Sequence, residues 1–169
     1  LERANIKGTE TICLNSQAKY TLPQWPTTDF VWRLNGIENH PMLVYTDQRN
    51  EIIVDGSTIG TYTLTADYTN TLLGCKGKAS IKIAVINTVE IVNNNLPLRC
   101  SGINQTFTNN QNASVQWVIS LNNNTVYTSN GTSCTYNFPQ GGTYTVVANA
   151  NGCASPPVSV VVAQTPSQP

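Results

Sequence analysis

The chain has 169 residues, no net formal charge at neutral pH and only 11% charged residues, against about 25% in an average soluble protein. It contains no basic stretch of the kind that binds nucleic acid and no Lys- and Arg-rich amphipathic segment of the kind that lies on a membrane surface. The longest apolar run, 158–163, is far shorter than the roughly 20 residues that a spanning helix needs. We therefore expect no nucleic-acid partner and no membrane insertion by this segment.

Charged residues are divided unevenly along the chain. Residues 1–87 carry eight Lys or Arg and eight Asp or Glu, whereas residues 88–169 carry one of each, Arg99 and Glu90, together with fourteen Asn. A low charge combined with many Thr, Val, Ile and Tyr favours strands over helices. A domain kept soluble by amides and hydroxyls suits an extracellular setting, so we expect a secreted or cell-surface location.

Apolar and polar residues alternate with the period of two that is typical of strands. In chain order the apolar faces are Phe30/Trp32/Leu34, Tyr62/Leu64/Ala66/Tyr68, Ile81/Ile83/Val85, Val115/Trp117/Ile119, Tyr144/Val146/Ala148 and Val158/Val160/Val162. Turn-forming pairs, which separate the predicted strands, are Asn35-Gly36, Asp55-Gly56 and Asn151-Gly152. No segment shows the 3.6-residue period of an amphipathic helix. Because each strand has one apolar face, two packed antiparallel sheets are expected.

The same order of landmarks occurs twice. It is Cys13, Trp32, Gly60-Thr61-Tyr62 and Gly74-Cys75 in the first half, and Cys100, Trp117, Gly142-Thr143-Tyr144 and Gly152-Cys153 in the second. We therefore predict an all-β chain of two tandem antiparallel Ig-like sandwiches with about seven strands each. The predicted domains are 1–87 and 88–163, with 164–169 as a tail or linker. The predicted core residues include Trp32, Trp117, Tyr62 and Tyr144.

The two copies follow each other without a flexible linker. The predicted strand at 79–86 leads through Asn87 and Thr88 straight into Val89-Glu90-Ile91-Val92. Neither Gly nor Pro occurs there, whereas Gly- and Ser-rich linkers behave as flexible coils. The junction therefore favours a stiff tandem pair.

The landmarks resemble those of a known group of domains. A Cys near the first core strand, a Trp strand, Gly-Thr-Tyr-Thr-Val at 142–146 and Asn-Gly-Cys at 151–153 before a Val-rich last strand are similar to the PKD-like (Ig-like) repeats of large secreted and cell-surface proteins of Bacteroidetes-type bacteria. The resemblance is closest in 142–162, and the first copy departs from it with Gly74-Cys75-Lys76. It implies an Ig-like sandwich with an adhesive, spacing or scaffolding role, and it supplies no catalytic residues.

Five cysteines leave at least one without a partner. The repeat assigns Cys13 to Cys75 and Cys100 to Cys153, each bridge pinning one end of its sandwich, and intact bridges imply an oxidising compartment. Cys134 stands eight residues before Gly142, as Ile52 stands before Gly60. We therefore expect a buried free thiol at Cys134, with a reactive or intermolecular thiol as the alternative.

Trp25 has no counterpart in the second copy. It lies in Pro23-Gln24-Trp25-Pro26, a loop in which it either covers the open end of the first sandwich or points outward as a ligand contact. Other aromatic residues that could join it in binding a sugar are Tyr20, Tyr45 and Tyr127. Asn-x-Ser/Thr sequons, which in this context we attribute to composition, begin at Asn104, Asn112, Asn123 and Asn130.

Catalytic and metal-binding motifs are missing from the sequence. His40 is the only histidine, and residues 88–169 contain no His, Asp or Lys, so that half cannot form a His-based triad or a pair of catalytic carboxylates. We expect no enzymatic activity, cofactor or metal. The leading hypothesis is a non-enzymatic tandem Ig-like segment of a secreted or cell-surface bacterial protein, acting in adhesion or as a rigid spacer, whose partners are other domains of the same long chain and a glycan or surface-protein ligand. The alternatives are an accessory carbohydrate-binding module of a secreted hydrolase and a structural subunit of a cell-envelope or secretion machine.

Overall fold

A computed structural model describes residues 4–92, 99–164 and 166. The chain divides into two compact units, Leu1–Asn87 and Thr88–Pro169. All regular elements of the described residues are strands, and in each unit the strands form two sheets. The predicted fold class, two tandem antiparallel Ig-like sandwiches, is confirmed.

The first unit has a five-stranded and a three-stranded sheet. Its strands are β1 (Thr11–Cys13), β2 (Gln17–Thr21), β3 (Thr28–Leu34), β4 (Ile37–Glu38), β5 (Leu43–Tyr45), β6 (Glu51–Asp55), β7 (Gly60–Asn70) and β8 (Lys76–Ile86). The larger sheet has the order β1-β8-β7-β3-β4, and the smaller has the order β2-β6-β5. All of these pairs are antiparallel except β1 with β8, which is parallel.

The second unit repeats this plan with a smaller second sheet. Its strands are β9 (Arg99–Cys100), β10 (Asn104–Thr108), β11 (Val115–Leu121), β12 (Asn124–Gly131), β13 (Ser133–Asn137), β14 (Gly142–Ala150), β15 (Cys153–Ala154) and β16 (Val158–Ala163). One sheet has the order β12-β11-β14-β16-β9, with β15 also paired to β14, and the other consists of β10 and β13. As in the first unit, the last strand carries a parallel neighbour, β9.

The predicted tryptophans lie at the centre of the two cores. Trp32 is 2% exposed and Trp117 is fully buried. Each indole donates a hydrogen bond of 3.0 Å to a backbone carbonyl, Trp32 to Arg49 and Trp117 to Gly131. Burial therefore leaves neither indole N–H without a partner, so its polar atom does not offset the gain from burying the ring.

The tyrosines of the Gly-Thr-Tyr motifs make the same contact in both units. Tyr62 donates to the carbonyl of Thr58 and Tyr144 to that of Gln140, at 3.0 Å in both cases. Tyr144 is 1% exposed, whereas Tyr62 is half-buried and packs against the edge of the core. The contact ties the start of β7 and of β14 to the preceding loop, as the tyrosine corner does in other Ig-like domains.

Asparagines form three of the tight turns. Asn35-Gly36, Asn122-Asn123 and Asn151-Gly152 each place two consecutive residues at positive φ, for example 52° and 81° in the last pair. Two-residue loops of this kind are type I′ turns, whose twist matches that of the strands they connect. Asn and Gly adopt this conformation at the lowest cost.

Two residues separate the last strand of the first unit from the buried part of the second. β8 ends at Ile86, and Val89 is fully buried in the core of the second unit. The backbone of Glu90 exchanges hydrogen bonds of 2.9 Å with Asn110, which fixes this segment beside β10. Of the predicted tail, 164–169, all but residues 164 and 166 lie outside the described residues.

A buried asparagine closes the β10–β11 loop of the second unit. Asn109 is 2% exposed. Its Oδ1 accepts hydrogen bonds of 3.1 Å from the backbone N–H groups of Gln111 and Ala113, and its Nδ2 donates to the Ala113 carbonyl at 2.9 Å. A buried amide is tolerated here because its donors and acceptor are satisfied.

Candidate functional site

The loop that carries Trp25 is held in place at both ends. At its start, Leu22 is buried, its N–H donates to the Asn50 carbonyl at 2.9 Å, and its own carbonyl accepts from Asn50 Nδ2 at 2.7 Å. At its end, the Thr27 carbonyl accepts from the N–H and the hydroxyl of Thr71, at 2.8 and 3.1 Å. The loop is therefore tied to Asn50, the residue before β6, on one side and to the β7–β8 turn on the other.

Trp25 is half-buried and covers one end of the first sandwich. Its ring is parallel to that of Phe30, with centroids 6.2 Å apart and planes at 8°, and tilted against that of Tyr68 at 5.0 Å. Offset stacking and tilted contacts are the favourable geometries for aromatic pairs. The first of the two interpretations of Trp25, a cover for the open end, describes this packing.

The exposed part of Trp25 lies between two clefts. One, of about 360 Å³, is lined mainly by polar groups and includes the ion pair of Arg49 with Asp29, whose Nη1 and Oδ1 are 2.6 Å apart. The other, of about 260 Å³, is more apolar and is lined by Trp25, Pro26, Thr27, Thr28, Tyr68, Asn70 and Cys75. Their volumes lie at or below the lower end of the ~300–1,000 Å³ that is typical of small-molecule pockets, so the clefts suit contact with another surface better than enclosure of a small molecule.

The β7–β8 turn presents two leucines to solvent beside the second cleft. Leu72 and Leu73 are each 77% exposed. Asn70 Oδ1 accepts the backbone N–H groups of both residues, at 3.0 and 2.9 Å, so the turn itself is well ordered by hydrogen bonds. These leucines are not among the candidate residues predicted from the sequence, although a Leu-Leu pair beside a glycine between two long strands is the pattern that marks them.

The predicted bridge between Cys13 and Cys75 is wrong. Cys75 is an exposed free thiol that immediately precedes β8, whereas Cys13 pairs with Ile86 at the opposite end of that strand. With a rise of about 3.3 Å per residue, the 11 residues of β8 separate the two cysteines by roughly 35 Å. A disulfide needs Cα atoms within about 7 Å of each other.

The predicted bridge between Cys100 and Cys153 is wrong for the same reason. Cys100 is an exposed free thiol that pairs with Ala163, at the end where β16 meets the start of β14. Cys153 pairs with Ala150, at the other end of the nine-residue β14, which places it roughly 25 Å away. Cys13 and Cys153 are both disulfide-bonded, so one member of each predicted pair is oxidised and the other is not.

Cys134 is a free thiol and is 3% exposed. It pairs with Phe107 across β10 and β13, just as Ile52 pairs with Tyr20 across β2 and β6. Burial raises the pKa of the thiol, and the Ser129 side chain partly opposes the shift. A neutral, inaccessible thiol is a poor nucleophile, which favours the interpretation of Cys134 as a small core residue.

The other aromatic candidates do not form a binding row with Trp25. Tyr20 is fully buried and donates to the Thr9 carbonyl at 2.7 Å. Tyr127 is half-buried, with its centroid 4.9 Å from that of Tyr136. Only Tyr45, which is 50% exposed, has the accessibility that sugar stacking requires. All four sequon asparagines are exposed.

The remaining candidates for chemistry are isolated from one another. His40 Nδ1 accepts the N–H of Met42 at 3.1 Å, and the imidazole ring lies edge-on to Tyr62. Among the described residues, no three His, Cys, Asp or Glu side chains are grouped closely enough to hold a metal ion. Within the same residues there is no helix long and apolar enough to cross a membrane.

The fold is that of immunoglobulin-like and fibronectin III-like modules. The chain superposes on the fibronectin(III)-like modules of CbhA from Clostridium thermocellum with a TM-score of 0.52 and 13% identity, over 94% of each chain. It matches an I-band fragment of titin with a TM-score of 0.45, 12% identity and coverage of 96% of this chain and 63% of that one. It matches three N-terminal domains of the outer capsid protein Hoc of bacteriophage RB49 with a TM-score of 0.40, 12% identity and coverage of 96% and 59%. No protein-family model and no curated protein matches the sequence.

Proposed function

We propose that the chain is a non-enzymatic tandem Ig-like segment of a secreted or cell-surface bacterial protein, in which it acts as a rigid spacer and scaffold for adhesion. The observation that carries this proposal is the connection between the units. Asn87 and Thr88 alone join the end of β8 to Val89, which is fully buried. A two-residue connection between ordered segments restricts orientation far more than a flexible linker does.

Two further observations support this role and its location. Disulfide-bonded Cys13 and Cys153 are typical of an oxidising, extracytoplasmic compartment. The landmarks shared with PKD-like repeats support a bacterial surface protein with further domains of the same kind as partners. Trp25, which lines two surface clefts, is the candidate contact for a glycan or surface-protein ligand.

Rotational diffusion tests the spacer role directly. Backbone ¹⁵N relaxation should give one common correlation time for the two units of the native chain. Insertion of about ten Gly and Ser residues after Asn87 should, in reducing buffer, give two shorter, separate correlation times. The measurement is made in oxidising and in reducing buffer, so that the contribution of the disulfide-bonded cysteines is separated from that of the connection. Two independent correlation times for the native chain in oxidising buffer would contradict the proposal.

A further inference from the structure

The two free, exposed cysteines occupy the same positions in the repeat as the two disulfide-bonded ones. Cys75 follows the glycine of the β7–β8 turn, as Cys153 follows Gly152 at the β14–β15 turn. Cys100 ends the short strand that pairs in parallel with the last strand of its unit, as Cys13 does. Each repeated position is thus disulfide-bonded in one copy and free in the other.

We propose that Cys75 of one copy of this chain forms a disulfide with Cys100 of a second copy, so that the copies are joined head to tail. This bond joins a cysteine that follows a turn glycine, Cys75, to a cysteine that ends the strand parallel to the last strand of its unit, Cys100. The two cysteines belong to different Ig-like repeats. Within its own unit, Cys75 lies roughly 35 Å from Cys13, and Cys100 roughly 25 Å from Cys153. Cys134 is buried in the core, so it does not compete for either thiol.

The surroundings of the two thiols are suited to contact with another protein surface. Cys75 lines the more apolar cleft and lies two residues from Leu73, which like Leu72 is 77% exposed. Cys100 lies three residues before Ile103, which is 45% exposed. Covering these aliphatic side chains on docking removes apolar surface from water, which gives the encounter a driving force apart from the covalent bond.

A contact between two different surface patches of the chain is heterologous, and such contacts produce open chains when rotation does not close a ring. Each copy has one Cys75 and one Cys100, so every copy added leaves one thiol of each kind for the next. The inference therefore extends the proposed scaffold role from a single segment to a covalent array. Its test reads disulfide linkage and does not depend on how the units of one copy tumble.

The bond requires an oxidant of the small-molecule disulfide class, for which oxidised glutathione is the probe. The Cys75 thiolate attacks the disulfide, which forms a mixed disulfide and releases one glutathione thiolate. The Cys100 thiolate of a second copy then attacks the Cys75 sulfur and releases the second glutathione. Two protons leave the cysteines, and the two electrons are carried away by the two glutathione molecules.

The experiment incubates the full chain with oxidised glutathione and follows it by non-reducing electrophoresis and peptide mapping. The native chain should form a ladder of oligomers that dithiothreitol collapses, and the mapped linkage should be Cys75 to Cys100. Cys75→Ser and Cys100→Ser alone should each stay monomeric. A mixture of the two variants should stop at a dimer, because each contributes only one of the required thiols.

Matched controls separate directed pairing from random oxidation. Cys134→Ser should leave the ladder unchanged, and Leu72→Ser/Leu73→Ser should slow it while the reaction of Cys75 with a small thiol reagent stays the same. Homodimers of Cys100→Ser through Cys75, or of Cys75→Ser through Cys100, would overturn the inference, as would a native chain that remains monomeric. Circular dichroism of each variant checks that the fold is retained.

Discussion

In the first unit an aromatic residue closes the end of the sandwich next to the β7–β8 turn, and in the second unit an amide closes the corresponding loop. Trp25 covers the first by stacking on Phe30 and Tyr68. Asn109 fills the second by binding the backbone of its own loop. The strands beneath are equivalent, with a buried Trp at the centre of each. The two units thus keep one frame and differ in how the loop between the first and second core strands is closed.

The difference shows two ways of meeting the same requirement. A loop at the end of a sandwich must satisfy its backbone polar groups and exclude water from the core. The first unit excludes water with a large ring and satisfies the backbone through Asn50 and Thr71. The second unit satisfies the backbone of its loop with one buried side chain, that of Asn109, and this amide covers almost no apolar area. Only the first solution leaves an aromatic surface for a partner.

The largest expected loss of stability tests whether the two units share one frame of strands around a buried tryptophan. Trp32→Ala and Trp117→Ala should each lower the free energy of unfolding of their own unit by about 3–5 kcal/mol, because each removes a buried ring and leaves a cavity. Equilibrium denaturation followed by NMR signals of each unit gives the two values separately. A near-zero effect in one unit and a large effect in the other would show that the two tryptophans are not equivalent.

Substitutions of the two residues that close the loops should differ in how much they lower stability and in which replacement recovers the loss. Asn109→Ala should cost about 1–3 kcal/mol, since it leaves the part-buried backbone N–H groups of Gln111 and Ala113 without their acceptor. Trp25→Ala should cost about 1–2 kcal/mol, because the ring is only half-buried. Asn109→Asp retains the acceptor and should recover part of the loss, whereas Trp25→Phe should recover part of the packing. Equal costs for Asn109→Ala and Asn109→Asp would contradict the hydrogen-bonded role.

The smallest expected effect concerns alkaline pH and the pair of equivalent residues Tyr20 and Phe107. Burial raises the pKa of Tyr20 from 10.0 to about 12. Its protonated form is favoured in the folded state, so this contribution to stability is complete below pH 10 and is lost as the pH rises from 10 to about 12. Tyr20→Phe should therefore lessen the decline in stability of the first unit in that range. Denaturation midpoints at several pH values measure it, and a variant that declines as steeply as the native chain would exclude Tyr20 as the cause.

Much of the fold follows from the sequence because the signals are local. The alternation at 60–68 and at 142–149 identifies the buried faces of those strands. Trp32 and Trp117 lie where the alternation at 30–34 and 115–119 places them. Asn-Gly pairs locate turns because few other residues adopt positive φ. These features depend on neighbours two to four residues away, which a single sequence contains.

The disulfides show where this kind of prediction fails. The repeat shows correctly that Cys13 corresponds to Cys100, and Cys75 to Cys153, but equivalence between copies says nothing about distance within a copy. That distance depends on the register of β1 against β8, in which Cys13 meets Ile86 and not Lys76. The length of the run from Lys76 to Ile86 argues against the predicted bridge. A cysteine that precedes an 11-residue strand lies far from any residue beside the C-terminal end of that strand.

Trp25 illustrates an intermediate case. Its Pro-flanked loop and its lack of a counterpart identified it as unusual, and the expectation that large aromatics bury themselves agrees with its packing on Phe30 and Tyr68. The tie between Thr27 and Thr71, which joins the loop to a hairpin 44 residues away, has no signal in the sequence. Trp25 and Thr27 both line the two clefts.

The ion pairs of the described residues all belong to the first unit. They join Lys19 to Glu51, Arg33 to Glu38 and Asp67, and Arg49 to Asp29. Surface pairs, whether partly or fully exposed, each contribute about 0–1 kcal/mol and weaken as salt screens them. The second unit, which has Arg99 and Glu90 as its only charged side chains, offers dissolved ions almost nothing to screen. The same chain thus combines one sandwich whose ion pairs weaken as salt concentration rises with another in which charge screening has little to act on.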